Sequence, residues 1–365
     1  MALATAFSPD YLTSRTRFRA AAAARGFRLE AFPIDRTGAQ GEDLTVDAAV
    51  LGAERPARVV VVSSGLHGVE GFLGAAVQEA LLEQDLNGWA PPAGAALVLL
   101  HALNPFGFSW IRRTNEENVD LNRNFLLDGE SYRGSPDKYA QLDWLLNPPW
   151  PPSWRDLFWP RALLAISRHG HAVLKQAVAG GQYDFPRGLF FGGHAPATIR
   201  RILATNLPRW VDQAEHILHV DFHSGLGRWG THKLLLEHGI GPAREQWLAA
   251  RFGEGIVERG DLNGISYRTR GALGSWCQAK FPDRPYDLLC AEFGTFRGVP
   301  MVAALRAENQ AHHWGTPDDP LVRWAKQRLQ DAFVPPDRPW RDAIVTQGLA
   351  IIRRAIDACF NGKAH

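Results

Sequence analysis

The sequence predicts an α/β fold, built on a mixed, largely parallel twisted sheet with helices on both faces. Two observations lead to this prediction. Several stretches are continuously apolar, as strands covered on both faces are, and segments with helical spacing lie between them. Strands that alternate with helices are typical of a layered α/β domain. The buried strands are expected at 58–65, 95–105, 216–225, 232–239 and 286–296.

The other elements are predicted from periodicity. Residues 9–26 have the spacing of an amphipathic helix that ends at Gly26. The stretches "RLEAFPI" and "DLTVDAAVLG" alternate between polar and apolar residues, as half-exposed strands do. Further helices are expected at 71–84, 242–257 and 321–333.

The chain is expected to form a single domain over residues 1–365. Its 365 residues, 45% of them hydrophobic, suffice for one large core. A Trp/Pro-rich insertion is expected around 142–160, which carries four tryptophans and five prolines. Prolines disfavour regular structure there. The insertion is either a surface excursion packed by its aromatic residues, or a pocket wall, a lid or a subunit contact.

Composition excludes several classes of protein. The formal net charge is only +2, without a basic stripe, which argues against a nucleic-acid partner. No apolar run is long enough to span a bilayer, so no membrane partner is expected. The three cysteines form no C-x-x-C pair, and the N-terminal stretch lacks the pattern of a secretory signal. We therefore expect a cytoplasmic protein.

Ionisable residues follow the predicted buried strands. His67 and Glu70 come after the strand at 58–65, His223 ends the strand at 216–225, and Glu292 lies at the end of the apolar part of 286–296. Because ligands of open α/β sheets bind at the carboxyl ends of the strands, we expect these side chains to meet at one edge.

His67, Glu70 and His223 are candidate ligands for one zinc ion (Zn²⁺) per chain. Catalytic zinc sites commonly have three protein ligands and an open position. Gly65 and Gly68 would allow a tight turn between strand and helix. The alternative is that His67 and Glu70 are ordinary residues of a first helical turn, where a carboxylate is favourable. The same ligands also suit other divalent ions.

The order of several motifs resembles the DUF2817 branch of the zinc metallocarboxypeptidase superfamily. The motifs are H-G-x-E, N-P-x-G, R-R-T, "NVDLNRNF", "DFHSG" and "EFGTF", and the resemblance covers roughly residues 55–300. The stretch "GQYDFPRGLFFGG" is also typical of this branch and is a candidate for the pocket lining.

The resemblance implies a role for each matching residue. His67, Glu70 and His223 would bind zinc, and Glu292 would be the general base and acid. Arg112, or its neighbour Arg113, would stabilise the oxyanion. Asn122 and Arg123 would hold the carboxylate of the substrate, which an arginine can bind through two parallel hydrogen bonds.

Three functions remain open at this point. The first is a zinc-dependent carboxypeptidase that cleaves a peptide next to its free carboxylate. The second is a deacylase of N-acyl amino acids, similar to aspartoacylase and succinylglutamate desuccinylase. The third is a metal-binding protein without catalysis, against which Glu292 argues because a pure binder needs no base.

Two further points concern the surroundings of the site. Well-studied carboxypeptidases have a mobile tyrosine over the pocket, and Tyr183, Tyr267 and Tyr286 are candidates for it here. Asp221 is not expected to orient His223, because side chains alternate along a strand.

Overall fold

One mixed sheet of eight strands organises the computed structural model, which describes residues 3–170, 176, 178–237, 239–259, 269–296 and 298–361. The strand order is β1-β2-β4-β3-β5-β8-β6-β7. The strands are β1 (Arg28–Thr37), β2 (Asp43–Gly52), β3 (Arg58–Ser64), β4 (Ala95–His101), β5 (His216–Ser224), β6 (His232–Leu236), β7 (Val257–Arg259) and β8 (Tyr286–Phe293).

The centre of the sheet is parallel. Strand β3 pairs in parallel with β4 and β5, and β5 pairs in parallel with β8. The pairs β1/β2, β2/β4 and β6/β8 are antiparallel. The carboxyl ends of β3, β5 and β8 therefore lie side by side at one edge of the sheet.

Helices cover both faces of the sheet, which confirms the predicted fold class. In β3, Val60 and Val62 belong to one hydrophobic core, whereas Val59 and Val61 belong to another. The helices are α1 (Tyr11–Ala24), α2 (Gly71–Ala80), α3 (Pro105–Ser109), α4 (Asp137–Leu146), α5 (Phe158–His169), α6 (Thr198–Val211), α7 (Pro242–Phe252), α8 (Leu273–Lys280), α9 (Gly298–Trp314), α10 (Pro320–Phe333) and α11 (Arg338–Phe360).

Several elements differ from the sequence-based expectation: one predicted helix is shorter, and seven helices were not predicted, namely α3, α4, α5, α6, α8, α9 and α11. The helix predicted over 242–257 ends at Phe252, because Gly253 has a φ of 114° and the chain then enters the short strand β7. Helix α11 was not predicted. It begins after Asp337, whose carboxylate accepts a hydrogen bond from the Trp340 N–H, and it packs against β3, β5 and α2. Its buried residues lie on one broad side of the helix, whereas Arg353, Arg354 and Asp357 are exposed on the other side.

Among the described residues, no helix has both the length and the apolar composition needed to cross a membrane.

The turn after β3 depends on two glycines, as predicted. Gly65 has a φ of +67°, which residues with a side chain rarely adopt. A Cβ atom at Gly68 would lie 2.1 Å from the carbonyl carbon of Gly107, in the first helical turn of α3. The backbone of Gly68 also donates a hydrogen bond to the Arg113 carbonyl. This close approach joins the turn that carries His67 to the segment that carries Arg113.

We predict that Gly68→Ala lowers the free energy of unfolding by about 1–3 kcal/mol, because the backbone contacting the new methyl group would have to move. Urea denaturation measures this loss. Gly241→Ala is the matched control, since Gly241 has a φ of −67° and a Cβ added there would meet no atom within 4 Å; its effect should stay within about 0.5 kcal/mol. Equal losses in both variants would contradict the proposed close contact.

Candidate metal centre and active site

Three buried side chains form a triangle at the carboxyl edge of the sheet. Nδ1 of His67 lies 3.0 Å from Oε1 of Glu70, and Nδ1 of His223 lies 3.1 Å from Oε2 of Glu70. The two Nδ1 atoms are 3.1 Å apart. The structure thus brings together the three residues that the sequence nominated as metal ligands.

The chemistry of this donor set fits a divalent cation. Ligand bonds of about 2.0–2.1 Å in tetrahedral geometry put neighbouring donors roughly 3.3–3.4 Å apart, close to the separations in the triangle. Two imidazole nitrogens that face each other share at most one proton, whereas a cation between them uses both lone pairs. His67, Glu70 and His223 are 4%, 1% and 2% exposed, so solvent competes little for these atoms.

Asp221 orients His223, contrary to the sequence-based expectation. Its Oδ2 lies 2.6 Å from Nε2 of His223. The expectation was wrong because Asp221 and His223 are two residues apart on β5, and alternate residues share a face of the sheet. The carboxylate accepts the Nε2 proton, which leaves the lone pair of Nδ1 facing the triangle.

A chain of buried hydrogen bonds continues behind Asp221. Oγ of Ser63 lies 2.5 Å from Oδ1 of Asp221 and 2.7 Å from Nε2 of His219, whose Nδ1 lies 2.9 Å from the hydroxyl of Tyr286. Burial lowers the pKa of His219 to about 4, so its ring is neutral and carries one proton. An ionised Asp221 can only accept hydrogen bonds, so Ser63 donates to Asp221. His219 then donates to Ser63, and the Tyr286 hydroxyl donates to His219. Tyr286 therefore helps to orient His223 through Ser63 and His219.

Nε2 of His67 has two neighbours, Oδ1 of Asp120 at 3.2 Å and Nη2 of Arg113 at 2.7 Å. In the tautomer with its proton on Nε2, Asp120 is the acceptor and the Nδ1 lone pair faces the triangle. A guanidinium group only donates, so Arg113 bonds Nε2 only in the other tautomer. Arg113 also donates to Oδ2 of Asp120 and to Oε1 of Glu70. Asp120 was not singled out from the sequence, although it lies within the "NVDLNRNF" motif.

Arg112 lies apart from this cluster, in contrast to the role predicted for it. Its buried guanidinium group donates to Glu308 and Asn118, and it does not line the cavity around the triangle. The neighbouring Arg113, which the sequence left as the alternative, lines that cavity and contacts Glu70. The two residues follow the turn at Ile111, where φ is 51°, and their side chains bond different partners, so only Arg113 reaches the site.

Glu292 lies beside the triangle and is paired in register with His223 across β5 and β8. Its Oε1 accepts a hydrogen bond from the Leu226 N–H. Burial and the negative charge of Glu70 raise the pKa of Glu292 to about 7.

A second group of possible ligands, His223, Cys290 and Glu292, also lies within 4.8 Å. This group fits a metal less well. Burial raises the pKa of the Cys290 thiol well above its usual value, and a thiol ligand must be ionised.

Asn122 and Arg123 line the same cavity as the triangle. Oδ1 of Asn122 accepts the Leu273 N–H, and its Nδ2 donates to Glu237 at 2.7 Å. Arg123 is held by the carbonyl oxygens of Ala179 and Asn122. Glu237 is a cavity residue that the sequence did not indicate. It follows β6, which is antiparallel to β8. The expectation that ligands bind at the carboxyl ends of parallel strands therefore could not place Glu237 at this cavity.

The cavity has a volume of about 800 Å³ and contains both the polar cluster and extensive apolar walls. Phe190, from "GQYDFPRGLFFGG", lies in its wall, with the guanidinium carbons of Arg113 and Arg123 at 5.4 and 5.9 Å from the ring centre. Leu142 and Phe158, from the Trp/Pro-rich segment, also line the cavity. The segment thus supplies pocket wall. The tryptophans of the segment do not anchor it to the core, because all four are exposed: Trp144, Trp150, Trp154 and Trp159.

Two of the three candidate tyrosines are fixed in the interior. The Tyr183 hydroxyl donates to the Arg123 carbonyl, and Tyr286 belongs to the chain behind Asp221. Tyr267 lies outside the described residues.

The chain matches a known protein family and is similar in fold to several solved structures. A family model described as "Protein of unknown function (DUF2817)" matches residues 7–347. No curated protein sequence matches the chain. The chain is similar in structure to thrombin activatable fibrinolysis inhibitor, with a TM-score of 0.50, 10% identity and coverage of 97% of this chain and 75% of the other.

Two further solved structures are similar at lower scores. Carboxypeptidase A from Helicoverpa armigera has a TM-score of 0.47 and 14% identity, with coverage of 96% of this chain and 74% of that one. Murein-tripeptide amidase from Escherichia coli O157 has a TM-score of 0.38 and 19% identity, with coverage of 81% and 97%. At these identities the comparison concerns the fold alone, which is carboxypeptidase-like.

We predict that Ser63→Ala weakens the affinity for zinc by up to about 10-fold, because it removes the hydrogen bond that holds Asp221, and loss of the partner of a ligating histidine itself costs about 10–100-fold. Competition with a chromophoric chelator measures the affinity. Ser64→Ala is the matched control: Ser64 is equally buried, but it bonds Gln78 and the Leu100 carbonyl instead of Asp221. Equal affinities in the two variants would show that the chain behind Asp221 does not act on His223.

Proposed function

The chain belongs to the DUF2817 family, and we propose that it is a zinc-dependent hydrolase that cleaves an amide bond next to a free carboxylate, as carboxypeptidases do. One observation carries the proposal. A single cavity is lined by the triangle of His67, Glu70 and His223, and its further lining residues include Glu292, Arg113 and Arg123. Zinc-dependent hydrolysis of an amide next to a free carboxylate can use all three kinds of group.

Zinc in this triangle would act as a Lewis acid that makes water more acidic and polarises the carbonyl of the substrate. Glu292 is then suited to take the proton from the attacking water, because it is not one of the three ligands and its pKa lies close to neutral pH. Its hydrogen bond from Leu226 holds one carboxylate oxygen and leaves the other for proton transfer.

Bond changes in this reaction balance as a hydrolysis. The oxygen of water bonds to the carbonyl carbon, and the C–N bond breaks. The proton taken up by Glu292 passes to the departing nitrogen, so the products are a carboxylic acid and a free amine. No oxidant, reductant or second substrate is required.

Two arginines have separate roles in the proposal. Arg113 would donate hydrogen bonds to the carbonyl oxygen as it gains negative charge, since it lies beside Glu70 and His67. Arg123, with Asn122, would bind the free carboxylate. The carbonyl groups of Ala179 and Asn122 hold its guanidinium group in place before the substrate arrives.

We predict about one zinc ion per chain in purified protein after zinc is supplied, and loss of the metal in His67→Ala and His223→Ala. Elemental analysis beside circular dichroism checks both metal and fold. Glu292→Gln should keep the metal but lower kcat by about 10²–10⁴-fold, because it removes the proton acceptor alone. A folded wild-type protein that binds no metal would overturn the proposal.

The two adjacent arginines give a second prediction. Arg113→Lys should lower kcat by about 10²-fold or more while the metal content is unchanged. Arg112→Lys should instead lower the free energy of unfolding by about 1–3 kcal/mol, because Arg112 is bonded to buried Glu308 and Asn118. Steady-state kinetics and urea denaturation on both variants separate these effects. If Arg112→Lys lowered kcat and Arg113→Lys lowered only the free energy of unfolding, the catalytic role would belong to Arg112.

A further inference from the structure

The cavity extends from the polar cluster into a region that we call the apolar chamber, formed by residues of α4, α5, α9 and α10. Its walls include Leu142 and Leu146 from α4, Met301 and Leu305 from α9, and Phe333 from the end of α10. These side chains are at most 8% exposed. The chamber is therefore a largely buried apolar surface that opens directly on the candidate active site.

Helix α5 presents one continuous face to the chamber. Phe158, Ala162, Ala165 and Ile166 all line the cavity and follow the spacing i, i+4, i+7 and i+8. This spacing places them on one side of a helix. The small residues at 162 and 165 leave room between the helix and the opposite wall.

The side chains of the chamber offer no polar group to a peptide backbone. Every described residue that these four helices contribute to the cavity is apolar or glycine. Backbone groups in the middle of a helix are bonded to one another, and only the first and last turns have groups without a partner in the helix. A peptide that entered would lose hydrogen bonds to water and find no side-chain partner to replace them, which is unfavourable. A hydrocarbon chain has no such groups to satisfy.

We propose that the substrate is an N-acyl amino acid with a long apolar acyl chain. The inference rests on the proposed function and names its substrate class. The amino acid carboxylate binds Asn122 and Arg123, the amide lies at the triangle, and the acyl chain fills the apolar chamber. Hydrolysis breaks the amide C–N bond, adds the oxygen of water to the acyl carbon, and releases a fatty acid and an amino acid.

Cavity size agrees with this class. Small-molecule sites usually have volumes of roughly 300–1,000 Å³, and the cavity reaches about 800 Å³. An acetyl or succinyl group would leave most of the apolar surface without contact. A chain of many methylenes would cover it.

The test compares glycine acylated with acetyl, hexanoyl and dodecanoyl groups, each below its micellar concentration. We expect kcat/KM to rise with chain length, by up to about threefold to fourfold for each added methylene until the chamber is filled. Release of free glycine measures the rate. A rate that is the same for all three, or highest for acetylglycine, would overturn the inference while leaving the proposed hydrolase intact.

A pair of variants on α5 tests the location. Ala165→Trp places a large ring in the chamber and should reduce the ratio of kcat/KM between dodecanoylglycine and acetylglycine by at least 10-fold. Leu164→Trp is the matched control, because Leu164 is 48% exposed on the outer side of the same helix. The ratio of kcat/KM in this variant should equal that of the wild type. Thermal unfolding verifies that both variants are folded. Equal ratios in all three proteins would place the acyl chain elsewhere.

Binding separates the two proposals. Isothermal titration of zinc-loaded Glu292→Gln with dodecanoylglycine should show affinity at least 10-fold higher than for acetylglycine, whether or not the wild type cleaves either compound. Binding without cleavage by the wild type would defeat the proposed hydrolase and support the chamber. Equal binding of the two compounds would defeat the chamber, whatever the wild type cleaves.

Discussion

Burial of three ionisable side chains within about 3.1 Å of one another is the constraint on which the candidate site depends. Removing such groups from water is unfavourable unless each keeps a partner. Glu70 meets this condition with Arg113, the two imidazoles and the Ser224 N–H. Burial by itself raises the pKa of Glu70, but the charge of His67 and hydrogen bonds from His223 and His67 outweigh it and keep the pKa below its usual range.

Charge in the immediate surroundings favours a cation. Four buried carboxylates (Glu70, Asp120, Asp221 and Glu292) lie in the cluster with two buried guanidinium groups, Arg113 and Arg123. Protonation of the imidazoles meets part of this deficit in positive charge; when both imidazoles are neutral, as metal ligands are, the formal deficit is two positive charges, the charge that a zinc ion carries. The raised pKa of Glu292 has the same origin, since burial and the charge of Glu70 both disfavour its ionised form.

The sequence predicted the sheet and the three triangle residues because their signals are local. A run of valines marks β3, and the polar residues that follow it mark its carboxyl end. It did not distinguish Arg112 from Arg113, because that choice depends on the turn from Ile111 onwards, where the backbone has a φ of 51°. Glu237 was missed because strand direction is a property of the whole sheet. The apolar chamber could not be predicted either, since its walls come from helices that are distant in sequence.

His67 and His223 are separated by 156 residues in the chain, yet they meet across two neighbouring strands. Contacts of such long range form late during folding, because a large loop must first be closed. The full ligand set therefore exists only after β5 has docked beside β3. A metal that binds only then stabilises the finished fold by mass action and adds nothing to partly folded chains. Metal occupancy would thus mark the molecules that have completed folding, and metal shortage in the cell would shorten the lifetime of the protein as well as lower its activity.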